Sequence, residues 1–570
     1  MKHLSRIIAS VLVAFALSVG GAAQAAKILH RGNGAEPYSL DPHRAIAVSE
    51  NNIIGDMLMG LYTEDATGQP ILGAAESVDT SADGLTWTFK LRSHTWSDGT
   101  PVSADDFVYA FRRVLDPNTA AEYASVLYPI KNALAVNKGQ LPTDKLGIRA
   151  VDAKTLVIEL ENPAPFLPEL LTHYTTFPIP EHLVTKVGSD WTRPGTMLSN
   201  GPYILAEWRP HDHVRLVKNP KFYDAANVKI DEVFYYPTDD DNAALIRYRA
   251  GELDTQERWP VSQSKWLSAN IPNEARHSIQ LSVSYMSFNM SRKPFDDIRV
   301  RKALAEAIDR SVIAKDVYQG VYGDVADCFL PPGMANADRS AKAPWDGAPM
   351  DQRQADAQKL LAQAGYGPGH PLKFTYRYIS MPDTKKAAVA MQAMWNDIGV
   401  EAELVATESK VHWNLLQVRD FDVAQNGWIF DYNDAKNFFF QFQSAAVQMN
   451  NSAYDSPAFE DLLHRADIEK DLTARAKILG EADARLLADL PAIPQFFPYA
   501  RHLVKSYVLN WIDNPRDVNR TRWLDLGVKP GPGDGTASTT TATSAESEGG
   551  VWSWLGSWFS AEAWQKWWNS

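Results

Sequence analysis

At 570 residues the chain is too long for a single hydrophobic core, and about two to four domains are expected. Its 45% hydrophobic and 22% charged content is ordinary for a soluble globular protein, while a net charge of −13 argues against a nucleic-acid surface, which needs a basic stripe. The single cysteine, Cys328, excludes a disulfide framework and Cys-based zinc sites, and no cofactor is expected.

The first 25 residues read as a cleavable signal peptide. Lys2 and Arg6 form a basic start, Ile7 to Val19 an apolar segment, and Ala23-Gln24-Ala25 a small-x-small cleavage site. The apolar stretch is short for a bilayer span, and no cysteine lies near the junction to carry a lipid. A soluble product is therefore expected outside the cytoplasm, in the periplasm of a cell with two membranes.

Beyond Ala26 strands and helices interleave, which predicts α/β layering. Leu85 to Leu91 alternates apolar and polar residues as a half-buried strand does. Ser93 to Pro101 is turn chemistry around Asp98-Gly99. Ser103 then caps a helix running to Leu115, with Phe107, Ala110, Phe111 and Val114 on one face and Asp116-Pro117 as its stop. Strands are expected at 155–160, 214–217 and 230–236, and a Pro-rich loop at 162–168. Helices are expected at 298–308, at 385–398, and across 456–490 with a break near Lys470-Asp471.

Asp431 follows Gly427-Trp428-Ile429-Phe430, an apolar segment in which a strand runs into a loop. A carboxylate in such company is costly to desolvate unless a cation meets it. The only basic residue in the next eight is Lys436, so the counter-charge is open to arrive with a ligand; the alternative is a solvated turn. The chain ends differently. Residues 531–550 have the composition of a flexible linker, and 551–570 hold six tryptophans. Tryptophan favours membrane interfaces and protein hot spots, so this tail reads equally as a docking segment for a membrane surface or partner and as an appendage to the body.

The segment Leu91 to Phe107, continuing to Leu115-Asp116-Pro117, resembles the signature region of the large periplasmic peptide-binding proteins of ABC importers. Further blocks agree in the same order: Ser39 to Pro42, Asn200 to Tyr203 with Asn219 to Asp224, Gly251 to Asp254, Phe295 to Leu304, and Gly427 to Asn433. The last is similar to the oligopeptide-binding branch. The resemblance implies an α/β, three-domain periplasmic-binding-protein-like fold, with two lobes joined by a hinge and an inserted third domain. Domain I would comprise 26–58, 182–285 and 499–530, domain II 59–181, and domain III 286–498. A monomer that opens and closes around an oligopeptide and delivers it to an ABC permease is implied.

The same resemblance assigns roles. Asp431 meets the peptide's α-ammonium, and the main chain of Gly427, Trp428 and Ile429 pairs with the extended peptide. Val48 makes the backbone contact from the opposite lobe. Trp413 and Trp428 line side-chain pockets, with plain core packing as the alternative, and Tyr123 touches the peptide near its amino end. Two positions depart from better-known oligopeptide binders: Gln425 stands where they carry an arginine and Thr384 where they carry a histidine, the groups that meet the ligand carboxylate. Ile46 also replaces a family glutamate. A longer, differently anchored or non-peptide ligand (a nickel complex, sugar, haem or antibiotic) is therefore an open alternative. A secreted hydrolase finds less support, because the chain has no Gly-x-Ser-x-Gly elbow and no His-Glu-x-x-His helix. His211-Asp212-His213 and Asp239-Asp240-Asp241 are read as a polar turn and a helix cap in preference to metal sites.

Overall fold

The computed structural model describes residues 26–446 and 449–529. The signal peptide, the linker and the Trp-rich tail expected at 1–25, 531–550 and 551–570 lie outside them. One compact unit ends at Gly527, and of the separate unit that begins at Val528 only the first two residues are described. No helix among the described residues is long and apolar enough to cross a membrane.

The main sheet has two halves that share one strand. Ala492–Val504 is 13 residues long. Its first part pairs antiparallel with Ser282–Phe288, which in turn pairs with Val423–Ile429; Lys373–Ile379 and Glu401–Thr407 complete that half. Its second part pairs with Ala275–Ile279 and Thr255–Gln256, leading to Ile28–Gly32, Glu232–Tyr236, His213–Lys218 and Tyr203–Arg209. The chain thus crosses between the halves twice in antiparallel directions, near 280–281 and near 498.

The apolar core divides in the same way. One body gathers residues from Leu29 to Tyr235 with a few from the C-terminal segment; the other runs from Leu281 to Phe497. Tyr432 is the exception, since it belongs to the first core while Phe430, Ala435 and Phe438 belong to the second. The short loop around Asp431 therefore reaches from one lobe to the other.

A smaller four-stranded sheet, with Ala75–Thr80, Thr86–Leu91, Thr155–Glu159 and Ile148–Asp152 in that order, builds on the first lobe. The helix Ala104–Leu115 packs beside it with Phe107, Ala110, Phe111 and Val114 fully buried, each aromatic or branched side chain contributing about 1.5–3 kcal/mol of transfer free energy. Its start is fixed by Asp106, whose Oδ2 accepts from the Ser103 backbone N–H at 2.9 Å and from the Trp96 indole at 3.3 Å. Asp106→Ala leaves the buried Trp96 indole and the half-buried Ser103 N–H unpaired, and a loss of about 1–3 kcal/mol in urea denaturation is expected.

Of the element boundaries that differ from expectation, two involve proline. The helix expected from Lys385 begins at Pro382, because proline in the first turn forfeits no intrahelical hydrogen bond. The Pro-rich loop ends early, in a single helical turn at Leu167–Leu170 with Pro168 in its first turn. The break between Pro457–Ile468 and Leu472–Asp489 falls where expected, with Asp471 capping the second helix. His211 sits in a turn at φ 62°, and Asp240 caps Asp241–Arg249 by accepting from Ala243 N–H at 2.8 Å. Among the described residues no three metal-ligating side chains come together.

Candidate functional site

The strand Val423–Ile429 carries one paired and one open edge. Its partner on one side, Ser282–Phe288, follows it along its whole length, with Gly427 opposite Ser284 and Ile429 opposite Ser282. On the other side Lys373–Ile379 pairs only at Val423 and Ala424 and then diverges. Phe430 N–H donates to Leu281 O at 2.9 Å, so by the alternation of an antiparallel ladder the main-chain groups of Gly427 and Ile429 point to the open edge. Gly427 N–H turns to the Asn426 side chain, at 2.8 Å. A Cβ at Gly427 would meet only Val283 O at 3.5 Å and Ser284 Cα at 3.9 Å, so nothing in the chain's own packing requires glycine there.

Asp431 follows this strand, its side chain 14% exposed. Its neighbours are polar but not cationic at contact distance. Asn437 Nδ2 donates to the carboxylate at 3.3 Å, and His173 Nε2 lies 3.8 Å away. Burial, with Arg516 and Arg520 nearby, pulls His173 down to about 3, so its ring is neutral at physiological pH. Lys436 turns away to Asp467. Arg516 approaches, but donates to the Asp431 backbone carbonyl at 2.9 Å and to Glu169 at 2.8 Å. Burial outweighs Asn437 and Arg516, and the Asp431 carboxyl is pushed up to about 6. The result is a poorly solvated acid, stabilised by any cation that reaches it.

Of the other candidate residues, Tyr123 is linked to this point through His173, and the rest are held by separate contacts. Tyr123 packs against His173 with ring centroids 5.4 Å apart, and burial together with the Asp431 charge raises its phenol well above the usual range. Tyr174 lies on His173 at 4.1 Å and donates to Ala45 O at 3.0 Å, tying the loop before Val48 to the same cluster. Val48 opens the helix Val48–Met57 and is 44% exposed. The wholly buried Glu50 shapes this loop by accepting from the N–H groups of Ser39, Ile46 and Ala47. Ile429 and Trp413 are exposed, and Trp413 sits edge-on to His412, whose Nε2 bonds Gln425 O at 2.8 Å on the open edge. Trp428 is anchored by its indole to Asn437 Oδ1 at 2.8 Å. Gln425 Oε1 is engaged by Ile379 N–H at 3.0 Å, and the Thr384 hydroxyl by the Ile379 and Met381 carbonyls.

Several residues of the site went unnoticed in the sequence. His173, Arg516 and Asn437 shape the environment of Asp431. Phe166 stacks on Tyr432 at 5.1 Å, and Asp434 forms a buried bidentate pair with Arg475 at 2.6 and 2.9 Å. Only Asp434 and Asn437, three and six positions on, are within reach of a local reading.

A two-lobed α/β body whose strands cross twice between the lobes has the periplasmic-binding-protein-like fold. The profile for "Bacterial extracellular solute-binding proteins, family 5 Middle" matches residues 69–450. The chain belongs to this family, which is one of solute-binding proteins and not an enzyme class. It is 35% identical over 500 residues to the periplasmic oligopeptide-binding protein OppA of Escherichia coli, covering 87% of this chain and 91% of that one. Among solved structures it is similar to Burkholderia pseudomallei OppA, with TM-score 0.83 and 34% identity over 88% of this chain and 100% of that one. It is also similar to Haemophilus influenzae OppA in complex with RPPGFSPFR, with TM-score 0.81 and 32% identity over 88% and 99% of the two chains.

Proposed function

We propose that this chain is a periplasmic receptor that captures oligopeptides between its two lobes and delivers them to an ABC importer permease, with no catalytic step. The observation that carries this reading is Asp431. It is a buried acid without a cation at contact distance among the described residues, placed where a strand with an open edge ends between two cores. Peptides share an ammonium group and a backbone; the acid suits the first and the free edge suits the second. An added strand pairs with main chain alone and so does not discriminate between side chains. The absence of any packing demand at Gly427 fits close approach by such a strand. The oligopeptide-binding names of its relatives and a neighbour solved with RPPGFSPFR support the same ligand class.

The division of the cores and the crossings near 280–281 and 498 support the domain scheme set out above, with 286–498 as one lobe and 59–181 inserted in the other. The test is calorimetry with tri- to octapeptides, each with a free and an N-acetylated amine. Free-amine peptides are expected to bind and their acetylated forms to lose about thirtyfold or more, by the cost of leaving one member of a buried charge pair alone. Equal binding of both forms, or binding of neither, overturns the reading.

A further inference from the structure

Most deeply placed arginines of this chain are engaged internally. Arg475 pairs with Asp434, Arg310 with Asp346, Arg520 with Glu64 and Arg516 with Glu169, and Arg301 donates to three backbone carbonyls. Arg501 differs. Its Nη1 is buried with no hydrogen-bond partner. What surrounds it is aromatic: the guanidinium lies 5.4 Å from the Trp259 ring and 5.7 Å from the Tyr322 ring. Burial pulls it below the usual arginine range. Leaving a buried guanidinium nitrogen without an acceptor is costly, and two ring faces beside this half-buried side chain offset only part of that cost.

Arg501 also stands between the lobes. It lies on the shared strand opposite His277, in the half that belongs to the first lobe. Trp259 is packed with Leu245, Leu253 and Leu503 on that side, whereas Tyr322 stacks on Tyr318 at 4.2 Å in the second core. The acids within electrostatic reach already have cations. Asp241 accepts from Arg258 Nε at 3.3 Å, and Asp383, in the first turn of Pro382–Asp397, lies 3.7 Å from Lys386. Arg258 adds a second positive charge to the cluster.

A guanidinium presents a planar fork of donors that matches a carboxylate. The geometry points to Arg501 as an anion subsite of the interlobe cleft that takes the carboxylate of the bound ligand. This inference rests on the peptide-binding reading: the amine of an extended ligand sits at Asp431 and its acid end at Arg501, so that the cleft complements a dipolar molecule at both ends. Gln425 and Thr384 offer no charge for this purpose and are engaged with backbone groups.

The test is calorimetry with oligoalanines of three to eight residues, each as the free acid, as the C-terminal amide, and as an amide ending in glutamate. The wild-type chain is expected to bind the free acid of its preferred length about thirtyfold or more tightly than the amide. Arg501→Gln is expected to remove that difference and Arg501→Lys to keep part of it, with thermal melts reporting whether each variant is folded. If Arg501→Gln fails to fold, Arg501→Lys decides: an acid preference as large as that of the wild-type chain overturns the subsite. Tight wild-type binding of acid and amide alike overturns the subsite and leaves the peptide reading intact, whereas binding of neither overturns both. Restoration of affinity by the glutamate-ending amide supports the subsite with a side-chain carboxylate as its occupant.

Discussion

Asp431→Ala is expected to weaken binding of a free-amine peptide by about thirtyfold or more. The carboxylate is 14% exposed, holds one hydrogen bond from Asn437 and faces a neutral His173. An incoming ammonium would be its only contact cation among the described groups, so removing the acid strands that charge in a desolvated site. Asp431→Asn keeps the shape and separates charge from packing; it should lose nearly as much. The dependence on pH follows from the same environment. The free carboxyl titrates near 6, and an ammonium against it pulls the value in the complex lower. Ligand binding then requires loss of the proton below pH 6. Affinity should be full and level above about pH 7 and fall by up to about tenfold per unit as pH drops through 6. Calorimetry at pH 5, 6 and 8 checks this. A flat profile in the wild-type chain, or the same slope in Asp431→Asn, would remove Asp431 from the ligand contact.

Local signals placed what local forces build. The helix Ala104–Leu115 was legible because its cap, its apolar face and its Asp-Pro stop all lie within a few positions. The Gly427 to Asp431 run was legible as a strand ending in an acid for the same reason. What made that acid unusual was not local. His173 and Arg516 reach it across the fold, the latter from 85 residues away, and no periodicity links them. The open edge of Val423–Ile429 exists because Lys373–Ile379 diverges after Ala424, which is a property of sheet twist and register rather than of either strand's composition. Arg501 carries no sequence signal either. An arginine in a mostly buried strand reads as an edge residue until its missing partner is seen.

Asp434→Ala is expected to cost about 3–5 kcal/mol of stability, because it leaves a guanidinium buried without its counter-ion. Asp434 and Arg475 have side chains only 3% and 1% exposed and meet in a two-pronged contact. Arg475 also lies over the Phe166 ring at 5.4 Å, and the opposite lobe's Phe166 stacks on Tyr432. The pair therefore anchors the loop carrying Asp431 at the junction of the two cores. If so, the loss in stability should be accompanied by weaker peptide binding even though neither residue is placed on the ligand. The double variant Asp434→Ala with Arg475→Met should be more stable than Asp434→Ala alone, since it removes the stranded charge and fills its volume. Urea denaturation followed by tryptophan fluorescence, with calorimetry on each variant, separates these effects. A double variant no more stable than the single one would mean that the loop is held by the Tyr432–Phe166 stack and not by the ion pair.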